Sequence, residues 1–304
     1  MKAQTLLTSL IAAVAAFFLS AARINHGLTN SELPTGPGLT PDESFNVAQG
    51  AYLTEAVLDH GPLLLTPAGA RTVFGSPEYL PDHPPLGRLL LGTAHLLCRS
   101  LIAGADRSVL NVAAARLGSS FAFALTVFLL AEFTSRRYGG GTGLSAAVLL
   151  MLMPRVVGHS RIASLETATS LTWLAVFVCL FSWWTAERRP TARQSVITGI
   201  CWGLLLLTKV QGILLPPLMT LWAIYRLGRK SLVPLSIVAV CGLSLCFAAW
   251  PWLWLDPVGH TLQYLGRATE RPTLYVWYLG SRYADKSVPW HYPFVMFIAV
   301  TPLI

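Results

Sequence analysis

Charged residues are scarce in this sequence. They make up 12% of its 304 residues, whereas hydrophobic residues make up 54%, and the mean hydropathy is +0.56. Soluble domains carry about 25% charged residues. The composition therefore excludes an ordinary soluble domain and indicates an integral membrane protein whose surroundings are the lipid bilayer.

Cysteine and acidic residues are also few. The five cysteines do not have the spacing of a metal site and lie mostly in apolar runs, so the sequence predicts neither a zinc site nor a disulfide framework. The sequence has 14 acidic residues and 22 lysines and arginines, which gives a net charge of +8. Because the basic excess lies in short loops beside apolar runs, where anionic lipids attract it, we expect no nucleic-acid partner.

The basic residues form three clusters between long apolar runs. These clusters are Arg136–Arg137, Arg188–Arg189 with Arg193, and Arg226 with Arg229–Lys230. Clustered lysine and arginine in short loops are typical of the cytoplasmic side of a membrane protein. We therefore predict a multi-pass protein of the plasma membrane with a cytoplasmic N-terminus and with all three clusters on the cytoplasmic side.

The apolar runs between the clusters predict the membrane spans. Predicted spans cover residues 5–22, 113–133, 142–158, 167–186 and 232–255, with a short pair at 195–208 and 211–225 that turns at Lys209. A last span begins at His291 and stops at Ile304, short of the roughly 20 residues that a crossing needs. We interpret residues 1–304 as one transmembrane module, the N-terminal part of a longer protein, whose last helix is incomplete.

Two apolar runs have alternative interpretations. Residues 5–22 also fit a cleaved signal peptide, because Ser20-Ala21-Ala22 resembles a cleavage site, although the run is long for a signal. Residues 86–104 are apolar enough for a span, but a crossing there would invert every later loop. Arg88, Gly92, His95 and Arg99 share one helical face, opposite several leucines, which predicts an interfacial helix that does not cross.

Two adjacent carboxylates follow the first span. Asp42 and Glu43 open a predicted helix in the first outer loop, where they are candidates for a general base or a metal site. A cap that interacts with the helix dipole is the alternative for such a pair.

Several candidate positive groups lie at the same predicted outer rim. His83 precedes Pro84-Pro85, and the prolines fix its approach to the next helix. Arg116 opens the second span, where an arginine is costly unless it is paired, faces a polar cavity or snorkels to the interface. Lys209, at the turn of two short apolar segments, lies near the depth of lipid phosphates, either as an anchor or as a phosphate ligand.

The order of these motifs resembles that of the GT-C membrane glycosyltransferases, closest to the protein O-mannosyltransferase and aminoarabinose transferase group. The motifs are the acidic pair, the His-Pro-Pro helix entry, the arginine of the second span, Ser160-Arg161-Ile162-Ala163 with Glu166, and the Leu-Thr-Lys turn at 207–209. The resemblance implies an all-α polytopic membrane protein, a GT-C-type helical bundle with a large first outer loop that contains interfacial helices.

The resemblance also implies an activity and the residues that carry it. It implies inverting transfer of a sugar from a polyprenyl-phosphate donor to an acceptor hydroxyl of a protein, lipid or glycan, on the outer face of the membrane. Asp42 matches the catalytic carboxylate and Glu43 its acidic neighbour; His83, Arg116 and Lys209 match donor-phosphate positions; Arg161 and Glu166 match the second outer motif, where relatives often have Asp at the position of Glu166. No cofactor is certain, and a divalent metal is left open.

Two other classes of protein also fit many spans with charged residues at their ends. A secondary transporter favours internal repeats and broken helices at the midplane, whereas here the charges lie at the outer rim and no internal repeat is evident. A catalytically inactive scaffold of the same fold is the other alternative, and among the sequence features only the acidic pair speaks against it.

Overall fold

The computed structural model describes residues 2–22, 24, 38–100, 110–185, 189–269 and 273–301. Its helices are α1 Lys2–Ala21, α2 Pro41–His60, α3 Pro67–Phe74, α4 Pro85–Cys98, α5 Val112–Tyr138, α6 Gly140–Leu152, α7 Pro154–Ser160, α8 Leu165–Trp183, α9 Ala192–Leu206, α10 Leu215–Leu227, α11 Leu232–Ala248, α12 Trp252–Leu255, α13 Pro257–Thr269 and α14 Tyr292–Val300. Short 3-10 helices lie at Gly61–Leu65, Val210–Leu214 and Gly228–Ser231. These helices confirm the predicted helical bundle, to which one short hairpin, β1 Tyr275–Tyr278 with β2 Ser281–Ala284, is added.

Several helices are long and apolar enough to cross a bilayer. They are Gln4–Ala21, Val112–Tyr138, Leu165–Trp183 and the segment Val210–Ala248. Helices α6 and α7 are long and apolar enough only when taken together, and the 73° bend between them is that of a broken span or a re-entrant loop. The bend follows from Met153 and Pro154, because proline opens α7 and disfavours a helical residue before it.

Contacts between the helices define two ends of the bundle. Ser9 in α1 donates to Glu132 near the end of α5 over 3.0 Å, and Arg161 donates to the carbonyl of Ala22 over 2.8 Å. We call the end with Ala22 and Arg161 the site end, and the end with Glu132 and Arg136 the basic end. Helix α1 therefore runs from the basic end to the site end, and α5 runs back.

The later helices continue this alternation. Ser119 and Ser120 of α5 donate to the carbonyls of Ser164 and Ser160, so α8 starts at the site end and runs parallel to α5. Helix α9 runs antiparallel to α8. The indole N–H of Trp184, directly after the end of α8, donates to the hydroxyl of Thr198 in the first half of α9 over 3.4 Å.

The turn after α9 and the basic residue of α10 therefore lie at opposite ends. The hydroxyls of Thr172 and Thr208 meet 3.4 Å apart, which places Thr208 towards the site end. Arg226 stacks over Trp222, and Trp222 packs against Phe181 near the end of α8. Arg226 and Arg136 thus lie at the same end, as the predicted alternation of spans requires; Arg188 lies outside the described residues.

Helix α4 does not cross the bundle. At its start the amide of Leu86 donates to the carbonyl of Leu207 over 3.0 Å, and near its end His95 accepts from the amide of Asn111 over 3.0 Å. Both ends of α4 therefore lie at the site end. The helix stops at Cys98, earlier than the predicted 86–104, and residues 101–109 are outside the described part of the chain.

The polar stripe of α4 faces the protein interior. Arg88, Gly92 and His95 are buried, whereas Leu97 is 69% exposed. Gly92 lies so close to Gly50 of α2 that a Cβ on either would overlap the backbone of the other. This close crossing fixes α2, and with it the acidic pair at its start, against the rest of the bundle.

Candidate functional site

A polar cavity of about 540 Å³ opens at the site end. It is lined by Thr40, Asp42, Phe45, Asn46, Leu80, Asp82, His83, His159, Ile162, Ala163, Ser164, Leu165, Glu166 and Lys209. These residues come from the start of α2, the segment before α4, the connection between α7 and α8, and the turn after α9. Four predicted site residues, Asp42, His83, Glu166 and Lys209, therefore share one cavity.

The start of α2 separates its two carboxylates. Thr40 caps the helix, and its amide donates to Glu43 over 2.9 Å in a capping box. Asp42, one residue earlier, is exposed and lines the cavity. Successive helix residues point in directions about 100° apart, and here Asp42 faces the cavity whereas Glu43 is buried.

Glu43 is the buried member of the pair, with 1% of its side chain exposed. It accepts from Arg116 Nε over 2.7 Å and from Nη2 over 2.8 Å, and the amide of Ala163 donates to it over 2.7 Å. Burial alone would raise the pKa of Glu43, but the hydrogen bonds from Arg116, Ala163 and Thr40 hold it below its ordinary value. Glu43 is therefore ionised, and its hydrogen bonds link α2 to α5 and to the connection before α8.

This pairing changes the expected roles of Glu43 and Arg116. Arg116 is fully buried, its guanidinium also donates to the carbonyl of Gly38, and neither partner lines the cavity. The sequence-based expectation placed Arg116 on the donor phosphate and Glu43 beside the base. The structure instead places both behind the cavity wall, because a buried arginine needs a carboxylate partner.

Lys209 and Glu166 form an ion pair in the cavity wall. Lys209 Nζ lies 2.5 Å from Glu166 Oε1, and the two side chains are partly exposed. Lys209 is extended between α9 and the following 3-10 helix, and Glu166 lies in the first turn of α8. The pair therefore joins two helices at the cavity, and its lysine is accessible from the cavity.

His83 is held in the wall by its rigid neighbours. Pro85 begins α4, and Asp82 is bound by the fully buried Arg88 over 2.7 Å. Burial lowers the pKa of His83, and the nearby positive charges of Arg88 and Lys209 lower it further. Although the charge of Asp82 opposes this shift, the lowered pKa of His83 favours the neutral imidazole, which offers a hydrogen bond rather than the positive charge that the sequence predicted.

Arg161 lies outside the cavity lining. Its guanidinium donates to the carbonyl of Ala22 at the end of α1, so it ties α1 to the α7–α8 connection. Its motif partner Glu166 does line the cavity. The second predicted motif is thus divided between a structural contact and a cavity residue.

Two cavity residues belonged to candidate sequence clusters but were given no role there. His159 lies at the end of α7, and Asp82 lies beside His83. The signal for Asp82 was the arginine six residues later, which pairs with it. The signal for His159 was its position directly before Ser160-Arg161, in the same cluster as Glu166.

A second, mainly apolar cavity of about 440 Å³ adjoins the first. It lies between α5, the α6–α7 break, α8 and α14, and it shares His159 and Glu166 with the polar cavity. Its apolar lining includes Phe123, Leu150, Met153, Val156, Phe297 and Val300. Polar and apolar compartments therefore meet at two shared side chains.

A metal site is not evident in the part of the chain that the structure describes. Within those residues no group of three or more His, Cys, Asp or Glu side chains is arranged to hold an ion. Of the three carboxylates that line the cavity, Asp82 and Glu166 each pair with a basic side chain, and Asp42 is exposed.

Comparison with known proteins gives two matches. The model of a family described as dolichyl-phosphate-mannose-protein mannosyltransferase matches residues 82–254, more than half of the chain. A solved structure of the S. cerevisiae protein O-mannosyltransferase Pmt1-Pmt2 complex bound to the sugar donor is similar over 88% of this chain, with a TM-score of 0.54 and 15% identity. At this identity the match shows the fold, a GT-C-type helical bundle. The chain covers 33% of the matched yeast chain, and no curated protein matches.

Proposed function

Because the chain belongs to the dolichyl-phosphate-mannose-protein mannosyltransferase family, we propose that it transfers a sugar from a polyprenyl-phosphate donor to an acceptor hydroxyl. The matched region begins at residue 82, so it includes His83, Glu166 and Lys209 but not Asp42. The assignment of Asp42 depends on its position in the cavity. The family description makes a polyprenyl-phosphate mannose the first donor to test and a protein the first acceptor.

The junction of the two cavities is the observation that carries this proposal. A lipid-linked sugar needs a polar chamber for the sugar and phosphate and an adjoining apolar surface for the first isoprenoid units. Here the polar cavity holds Asp42 and Lys209, and the apolar cavity shares His159 and Glu166 with it. The phosphate would lie at this junction, within reach of Lys209.

The chemistry of such a donor fits the residues in the cavity. The leaving group is a phosphate anion, so its departure needs positive charge and hydrogen-bond donors near the phosphate oxygens rather than a general acid. Lys209 supplies the charge, and neutral His83 supplies a hydrogen bond. Lys209 is paired with Glu166 in this structure; its ammonium has three N–H donors, so the phosphate would either share Lys209 with that carboxylate or displace it.

Asp42 is the candidate for the general base. It lines the polar cavity, and unlike Glu43 it is exposed. A carboxylate that accepts the proton of the acceptor hydroxyl contributes to the rate of such a reaction. Direct displacement at the anomeric carbon inverts its configuration, through a transition state with oxocarbenium character.

The basic loops support the proposed orientation. Arg136 and Arg226 lie at the end of the bundle opposite the cavity, and clustered basic loops favour the cytoplasmic side. The cavity would then open on the outer face of the plasma membrane, with the N-terminus in the cytoplasm.

A donor panel tests the proposal against its alternatives. The full-length protein in nanodiscs is given radiolabelled polyprenyl-phosphate sugars one at a time, beginning with mannose, together with protein, lipid or glycan acceptors. We expect label to move from one donor to an acceptor. Donor binding without transfer in any combination would favour the inactive scaffold. If the protein neither binds a donor nor transfers a sugar, but moves a solute across the membrane of sealed vesicles, the result would favour the transporter.

A further inference from the structure

The hairpin before α14 has an unusual turn. Strands β1 and β2 pair antiparallel, with Tyr278 opposite Ser281, so Leu279 and Gly280 form a two-residue turn. Their φ angles are 48° and 81°. Turns of this kind need positive φ at both positions, and Asn-Gly usually supplies them. Leu279 is the one non-glycine residue with positive φ in the described part of the chain.

Leucine at this turn is unfavourable in water for two reasons. A left-handed backbone is unfavourable for a residue with a Cβ, since it brings that atom close to the following carbonyl. The side chain of Leu279 is also 78% exposed, so it gains little by packing on the rest of this chain. Burial of the leucine side chain in an apolar environment would offset both costs.

The face of β1 that continues to Leu279 has the composition of a membrane interface. Tyr275 and Trp277 alternate with Leu279 along the strand, and Trp277 is 75% exposed. Arg282 lies opposite Trp277 and stacks over the ring of Tyr275 at 4.0 Å. Tryptophan and tyrosine concentrate at lipid headgroup level, and arginine can bury its stem while its guanidinium stays among polar groups.

The opposite face of the hairpin is fixed to the start of α14. Tyr278 is buried; its hydroxyl lies 2.7 Å from Nδ1 of His291, and its ring packs edge-on against Tyr292. Helix α14 is apolar and leaves Phe294 and Phe297 exposed. The hairpin is therefore held where an apolar helix with an exposed surface begins.

From these contacts we infer that the outward face of the hairpin, formed by Tyr275, Trp277, Leu279 and Arg282, rests in the headgroup layer of the bilayer. Leu279 reaches the acyl chains, and Arg282 contacts lipid phosphates. This bilayer contact is independent of the proposed transfer reaction, and it is continuous with the exposed apolar surface of α14.

A spin label at the turn measures the contact directly. The full chain, with its five cysteines replaced by alanine, carries Leu279→Cys and a nitroxide label in nanodiscs. Ser287→Cys, exposed beyond the hairpin, is the matched control. Oxygen dissolves in acyl chains, whereas a nickel chelate stays in water. We expect the label at 279 to collide several-fold more often with oxygen than with the chelate, and the label at 287 to show the reverse.

Two outcomes would overturn the inference. Free access of the chelate to position 279 would place the turn in water, and protection from both reagents would mean that protein covers it.

Discussion

Arg116 and Glu43 form a doubly hydrogen-bonded ion pair, with N–O distances of 2.7 and 2.8 Å, between residues 73 positions apart in the chain. Glu43 also accepts from the amide of Ala163. This single carboxylate therefore joins the helix that carries Asp42 to the connection that leads to Glu166. The position of the proposed base depends on a contact that does not itself touch the cavity.

The first prediction concerns the stability of this pair. Glu43→Gln leaves a buried arginine charge without its partner, which should lower the free energy of unfolding by about 3–5 kcal/mol. Glu132→Gln is the control, because its partner Arg136 is 70% exposed and stays hydrated when the carboxylate is lost, so the loss of stability should be smaller. The measurement is unfolding in detergent followed by tryptophan fluorescence. Equal losses in the two variants would contradict a special role for the buried pair.

The second prediction is a pH dependence of the same pair. The folded-state pKa of Glu43 is held below its ordinary value, so the unfolded chain takes up a proton first as the pH falls. The stabilisation is complete above the ordinary glutamate pKa of about 4.3 and is lost as the pH falls through the lowered folded-state pKa. The stability difference between wild type and Glu43→Gln should therefore be constant near pH 7 and shrink below about pH 4.

The unfolding temperatures of both proteins across this pH range check the second prediction. A difference that grows on acidification would mean that the folded protein binds the proton more tightly than the unfolded chain. The ion pair would then not be the source of the stability.

The third prediction tests the base. Asp42→Asn keeps the shape of the side chain but removes the proton acceptor, so single-turnover transfer should fall by about 10²–10⁴ while donor binding stays near wild type. Asp59→Asn is the matched control, since Asp59 is an exposed carboxylate near the other end of the same helix. Near-normal transfer in Asp42→Asn would remove Asp42 from the mechanism, and Glu43 could not replace it while held by Arg116.

The sequence predicted the alternation of the helices because the basic loops and apolar runs are local features. It also predicted that α4 does not cross, since the polar stripe at Arg88, Gly92 and His95 is a helical periodicity. The sequence could not predict that this stripe faces the protein interior, because that orientation depends on the contact of Gly92 with Gly50 in a separate helix.

The role of each residue within the site could not be predicted from the sequence for the same reason. Asp42 and Glu43 are adjacent and chemically alike. The capping box with Thr40 is a local contact of Glu43, but its burial also depends on the distant Arg116. The pairing of Lys209 with Glu166 likewise spans 43 residues. Motif order predicted candidate site residues, whereas the partner of each charged side chain depends on tertiary packing.

The last prediction concerns Lys209 and the carboxylate that it holds. If Lys209 binds the donor phosphate, its charge stabilises the leaving group more as charge develops there, so its loss should lower both donor affinity and the rate of transfer. Lys209→Ala and Lys209→Met should both be severe, although Met keeps most of the apolar stem. Lys209→Arg keeps the charge but not the shape and should be partly tolerated.

Glu166 supplies the second half of this test. In Lys209→Met the carboxylate of Glu166 loses its partner and adds a negative charge at the place where the phosphate should bind. The double variant Lys209→Met with Glu166→Gln should therefore bind donor more tightly than Lys209→Met alone, a coupling that a double-mutant cycle isolates. The measurements are donor binding and single-turnover transfer in each variant. Wild-type behaviour of Lys209→Met would show that Lys209 only anchors the turn at the membrane surface and that the phosphate is held elsewhere.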